Sequence, residues 1–99
     1  MQSGLKVGIG TENPSALVHV KDSTHKSLLR VSNSENTILL VDSSGFVGIG
    51  TTNPNATLDI NAQAGENPLN VRVNGISALK VHDNLGVGVG TGSSPPASG

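Results

Sequence analysis

Apolar side chains alternate with polar ones or glycine from the start of the chain: Leu5, Val7 and Ile9 fall on one face of an extended backbone, Lys6, Gly8 and Gly10 on the other. Strict alternation signals a half-buried strand, because successive side chains of extended chain point to opposite faces. Asn13-Pro14 interrupts it, since proline fixes its own φ and biases the preceding residue away from helix. Alternation resumes with Ala16, Val18 and Val20 and, after a polar stretch at 21–27, with Leu29 and Val31. A turn at 33–36 leads to Leu39 and Val41, and a second turn at 42–45 ends on Gly45. The same scheme then runs again through Val47 and Ile49; Ala56, Leu58 and Ile60; Leu69, Val71 and Val73; Leu79 and Val81; and it restarts with Val87 and Val89. Between two of these runs Asn74-Gly75 predicts a two-residue hairpin turn. Strand centres recur about every 8 to 11 residues, the rhythm of an all-β architecture. No segment places apolar residues at i, i+3, i+4 and i+7 over a helix length, so no helix of more than about two turns is predicted.

The recurrence has a fixed period. VGIGTENP at 7–14 returns as VGIGTTNP at 47–54 and begins a third time as VGVGT at 87–91, each 40 residues after the last. Leu29 answers to Leu69, Val31 to Val71, Leu39 to Leu79 and Val41 to Val81. The chain therefore divides into a lead or tag at 1–4, β-repeats at 5–46 and 47–86, the start of a third at 87–91, and a Gly/Ser/Pro linker or tail at 92–99. The predicted core consists of Val7, Ile9, Val18, Val20, Leu29, Val31, Leu39, Val41, Val47, Ile49, Leu58, Ile60, Leu69, Val71, Leu79, Val81, Val87 and Val89. Gly8, Gly10, Gly48, Gly50, Gly88 and Gly90 are expected to permit close packing, the use that glycine in strands most often signals. If the repeat is structural, its motif copies fall in the same kind of element. Divergence then concentrates in the loops at 21–28 and 61–68, where the copies share no residue.

Composition changes what kind of core this is. Leu, Ile, Val and Phe number 27 of 99 residues, enough to fold, but Phe46 is the only aromatic and there is no Trp, Tyr or Cys. Aromatic rings normally supply much of a compact core, so an aliphatic, glycine-rich chain suits a slender cross-section. A repeating unit usually cannot bury its apolar face alone, and solenoids need at least about three repeats plus caps. Two and a fraction units leave sheet edges open. The expected solution is for several identical chains to wrap together, each contributing one wall to a narrow core.

The runs LKVHDNLGVGVGT and LLVDSSGFVGIGTTNPNATLDI resemble the shaft repeats of bacteriophage tail-fibre and tailspike proteins, over nearly all of positions 5–91. The shared pattern is L-x-V-x-x-x-G-x-V-G-I-G-T-x-x-P-x-x-x-L-x-V, often placed before an endosialidase-type intramolecular chaperone. The resemblance implies an intertwined homotrimeric β-fibre, like a triple-stranded β-helix or β-prism, on a virion. It implies other virion proteins and a host cell-surface glycan as partners, and a role as shaft or host-attachment appendage. The alternatives are a stalk module of a bacterial surface adhesin and a small carbohydrate-binding β-domain.

Charge narrows the classes further. Six basic residues against seven acidic ones, with the lysines and arginines scattered, do not make the clustered cationic surface that nucleic acid requires. The longest apolar run, 38–41, is far short of a membrane span, and no signal-peptide pattern opens the chain. Synthesis in the host cytoplasm follows as the expectation.

Candidate chemistry is sparse. The glycine-rich runs fail GxGxxG, since Asn13, Asn53 and Ser93 stand where the last glycine belongs, and no Gly-Lys-Ser/Thr follows. His19, His25 and His82 gathered on a threefold axis would make half of an octahedral metal site. None forms a His-x-His pair, however, and they are expected to be solvent-exposed. Asp42 with Asp59, or Glu66 with Asp83, supplies the two carboxylates of a glycosidase on paper, but nothing in the sequence holds either pair about one sugar bond. Asn55-Ala56-Thr57 fits the glycosylation pattern and reads more simply as a turn entering a strand. The variable loops at 21–28 and 61–68 are expected to be solvated, with host-surface contact as the functional alternative. The expectation is a structural, non-enzymatic protein with no cofactor and no metal.

Overall fold

The computed structural model describes residues 4–90, so the linker reading of 92–99 lies outside the described residues. The chain is all-β, with nine short strands in three small sheets and no helix. Strands β1 (Val7–Ile9) and β2 (Val18–Val20) form a parallel pair. β3 (Ser27–Ser32), β4 (Thr37–Asp42), β5 (Val47–Ile49) and β6 (Leu58–Ile60) form a four-stranded sheet in chain order, and β7 (Leu69–Val73), β8 (Ile76–Val81) and β9 (Val87–Val89) a three-stranded one.

Every strand recurs at the predicted offset. The VGI of β1 becomes the VGI of β5 and the VGV of β9, each beginning 40 residues after the last, and β2 returns likewise as β6. The motif copies thus fall in the same kind of element. Their pairing repeats too: the Val7 N–H donates to the Leu17 carbonyl at 2.7 Å, and the Val47 N–H to the Thr57 carbonyl at 2.8 Å.

The chain divides into two compact units, Met1–Asp59 and Ile60–Gly99. The second motif copy belongs mainly with the first unit, because β5 pairs with β4 through Leu39 to Ile49, Leu40 to Gly48 and Val41 to Val47.

An irregularity that alternation did not predict appears in both hairpins. Between Val31–Leu39 and Ser32–Thr37 the register skips Ile38, and between Val71–Leu79 and Arg72–Ser77 it skips Ala78. An extra residue on one strand is a β-bulge, which bends the strand and shifts the facing of what precedes it. Thr37 thereby lies with Arg30 and Ser32, where its Oγ1 accepts from Arg30 Nε at 2.8 Å. In the second hairpin Ser77 Oγ donates to Asn70 Oδ1 at 2.6 Å. The bulge carbonyls are also used: Gly50 N–H donates to Ile38 O at 3.1 Å and Gly90 N–H to Ala78 O at 2.8 Å. Each VGxG strand is thus tied at its end to the bulge of the preceding strand.

Candidate functional site

Strand register gathers the predicted core residues into rows. Cross-strand partners share a face of a sheet. One row therefore holds Leu29, Val41 and Val47 and the next Val31, Leu39 and Ile49. In the second unit the rows are Leu69, Val81, Val87 and Val71, Leu79, Val89. In the parallel pair Val7 faces Val18 and Ile9 faces Val20. Leu58 and Ile60 lie in β6 beside β5. All eighteen residues are in strands, and each printed partner of one is another.

None of the eighteen is buried within a single chain. Val7, Ile9, Val18, Leu29, Val31, Ile49, Leu58, Val71, Val87 and Val89 are exposed, and the other eight are half-buried. Of the 27 large apolar side chains only Leu40 is buried, at 2 % exposure. Leu40 lies in the row of Arg30 and Gly48, opposite the apolar face, and the sequence reading did not place it in the core. Alternation assigns it to the polar face. What covers that position is the fold of the chain around the following motif.

The glycines explain part of that fold. A Cβ on Gly48 would sit 2.9 Å from the Thr51 carbonyl, 3.1 Å from Thr51 Cγ2 and 3.4 Å from Pro54 Cβ, and one on Gly8 would collide with the Thr11 carbonyl. The residues after VGIG therefore double back over the strand they leave, and glycine makes the room. Thr11 and Thr51 brace these turns by accepting the N–H of Asn13 and of Asn53, both at 3.1 Å. Gly10, Gly50 and Gly90 have φ of +82°, +78° and +96°, a region that disfavours any Cβ. Gly88 is buried in β9. A task inside one chain thus accounts for both glycine positions of the motif.

The polar residues considered for chemistry act as turn braces. Asp42 Oδ1 accepts the N–H of Ser44 at 3.0 Å and of Phe46 at 2.9 Å. Asp59 Oδ2 accepts the Asn55 N–H at 3.1 Å, and its counterpart His19 accepts the Ser15 N–H through Nδ1 at 3.0 Å. Glu66 Oε1 accepts the Gln63 N–H at 3.2 Å, and the Asp83 N–H is held by Asn67 Oδ1 at 3.0 Å. Asp22 pairs with His25 and accepts from Thr24, through its N–H at 3.1 Å and its hydroxyl at 2.8 Å. The His25 hydrogen bond, and then those of Thr24, hold the Asp22 carboxyl well below the usual carboxylate range.

The histidines need correction. His25 is exposed and His19 half-buried, but His82 is buried, at 9 % exposure, instead of solvated. It occupies the place of Asp42 at the entrance of a tight turn, where its N–H bonds the Gly86 carbonyl at 2.8 Å. Among the described residues no group of three or more His, Cys, Asp or Glu is placed to hold a metal ion. No protein family, curated protein or solved structure matches the chain.

Proposed function

We propose that the chain is a structural, non-enzymatic segment of a bacteriophage fibre, in which three copies intertwine and turn their apolar rows toward a common axis. The observation that carries this reading is the state of the rows: eighteen aliphatic residues share faces of three sheets, and none is buried by its own chain. Fully burying a Val, Leu or Ile side chain is worth about 1.5–3 kcal/mol. Covering the ten exposed members, each already partly shielded, offers on the order of 10 kcal/mol per chain. That is of the size needed to offset the roughly 4–15 kcal/mol cost of association. Copies of the same chain suit such a face because its width repeats with the 40-residue period. A shaft needs a repeated wall and no reactive centre, in keeping with carboxylates and histidines engaged in bracing turns.

Sedimentation equilibrium at micromolar concentration tests the assembly. The expected mass is three times 10.0 kDa; a folded species of one chain mass overturns the trimer. Placement on a virion is tested by antibody labelling of phage particles in negative-stain microscopy. Label along an appendage supports the fibre reading, and intact particles that never label overturn it.

A further inference from the structure

We infer that the polar face of the first unit carries a binding cleft for a carboxylate-bearing sugar, with Arg30 and Lys26 as its anion-recognising groups. A cleft of about 470 Å³ opens where the start of β3 meets the turns at 42–45 and 51–54. It lies on the face opposite the apolar rows, because Arg30 pairs with Leu40 and Leu40 with Gly48. It is a feature of one chain, and the inference does not rest on the trimeric reading.

Each part of the cleft has a matching part on such a sugar. Arg30 is held through Nε by Thr37 Oγ1 at 2.8 Å, which orients the guanidinium plane and leaves its Nη groups as donors. A planar guanidinium engages a carboxylate through two parallel hydrogen bonds, and Lys26 adds a second positive charge beside it. Asp42 commits Oδ1 to the turn N–H groups, so Oδ2 is the oxygen for a ligand hydroxyl. The Asn53 side-chain amide brings a donor and an acceptor, and Leu40 with Pro54 forms an apolar strip for the C–H face of a ring. An inorganic anion would use only the two cations and would meet the Asp42 charge. A sugar acid uses the whole lining.

The internal repeat isolates this feature from the needs of the fold. Forty residues on, Glu66 stands in place of Lys26 and Asn70 in place of Arg30, yet Ser77 still bonds Asn70 across the bulge. The hairpin therefore closes without the cations. Their presence in the first unit alone is left to be explained by a ligand.

The test is a titration of the full chain followed by amide chemical shifts, using sodium glucuronate, glucose and inorganic phosphate as separate probes. Glucuronate is expected to produce saturable shifts confined to 26–30, 42–44 and 52–54, with millimolar affinity that falls severalfold between about 0.05 M and about 0.5 M salt. Glucose should give no saturable shift. Arg30→Gln should abolish the response while amides of the second unit stay unmoved, which reports that the chain remains folded. Asn53→Ala, which leaves both cations in place, should weaken glucuronate severalfold. Absence of glucuronate shifts in the cleft, their survival in Arg30→Gln, or equal shifts and affinity for phosphate would each overturn the proposal.

Discussion

The two hairpins, 27–42 and 69–81, solve one geometric problem with different residues. In the first, the four residues after the Ser32–Thr37 pair form a loop gathered by Asn33, whose Oδ1 accepts the N–H of Glu35 at 2.9 Å and of Asn36 at 2.7 Å. In the second, the same four positions make one more strand pair, Val73–Ile76, and a two-residue turn in which Asn74 and Gly75 have φ of 49° and 82°. Two positive φ values match the twist of a β-ribbon. The bulge stays at the same register position in both. The turns that follow diverge in a similar way. Gly45 has φ of +92°; its counterpart Leu85 keeps the left-handed backbone, at 73°, without the residue that tolerates it. The N–H that Asp42 holds at Phe46 is held at Gly86 by Asn84 Oδ1, at 3.0 Å. What repeats is backbone register, and side-chain chemistry is free to vary wherever another residue supplies the missing hydrogen bond.

The largest effect should come from breaking a row in its middle. Ile49 is 41 % exposed in one chain and lies between β4 and β6, whereas Val89 is 79 % exposed in a strand with β8 on one side among the described residues. Ile49→Asp would place an unpaired charge in the assembled core at a cost of several kcal/mol per chain. Val89→Asp should cost clearly less. Sedimentation and thermal melting of the two variants check this, and an unchanged mass and midpoint for Ile49→Asp would mean that this face points to water in the assembly too.

Next in size is Gly48→Ala, whose methyl group meets the Thr51 carbonyl. Overpacking of this kind costs about 1–3 kcal/mol, and denaturant unfolding should show the loss. Gly65→Ala, with nothing within 4 Å but φ of +88°, should lose only the conformational part, roughly 1 kcal/mol. Equal losses would show that the turn does not fold back over the strand.

Exchanging the turn residues sharpens the comparison further. Leu85→Gly removes a left-handed leucine and should stabilise the protein by about 1 kcal/mol, while Gly45→Leu should destabilise it by a similar amount. Leu85 is 82 % exposed, so little burial is lost. A destabilising Leu85→Gly would show that the side chain is covered in the assembly.

The smallest effect concerns the loops, where Asp22 corresponds to Ala62. A carboxyl whose folded pKa is depressed contributes stability above its unfolded value, and that contribution is lost only as pH falls through the folded value. The Asp22 side-chain carbon should thus keep its ionised chemical shift down to about pH 3, below the ordinary aspartate range near 3.9. A midpoint at about pH 4 in a carbon-13 titration would show that the loop contact is not formed.

Much of this architecture is legible from periodicity alone. Alternation at Val7 and Ile9, and again 40 residues later, located strands at the right places because the period of an extended chain is fixed by its covalent geometry. Asn74-Gly75 announced its turn because few residues tolerate two positive φ values. Asp42, Asp59 and His19 were weighed as chemistry because side-chain type does not disclose which backbone N–H lies nearby. His82 looked solvated because its polarity argues for water, while the turn encloses it.

What the amino-acid order determined by itself is therefore the strands, their period and the side of each strand that is apolar, all consequences of local alternation. The tertiary structure decided the rest. It skips Ile38 and Ala78 as bulges, so that Thr37 and Ser77 face Arg30 and Asn70. It brings the turn after Gly48 back over its strand and buries Leu40 on the polar face. These outcomes depend on which segments meet, and a contact between residues distant along the chain leaves no periodic trace in either of them.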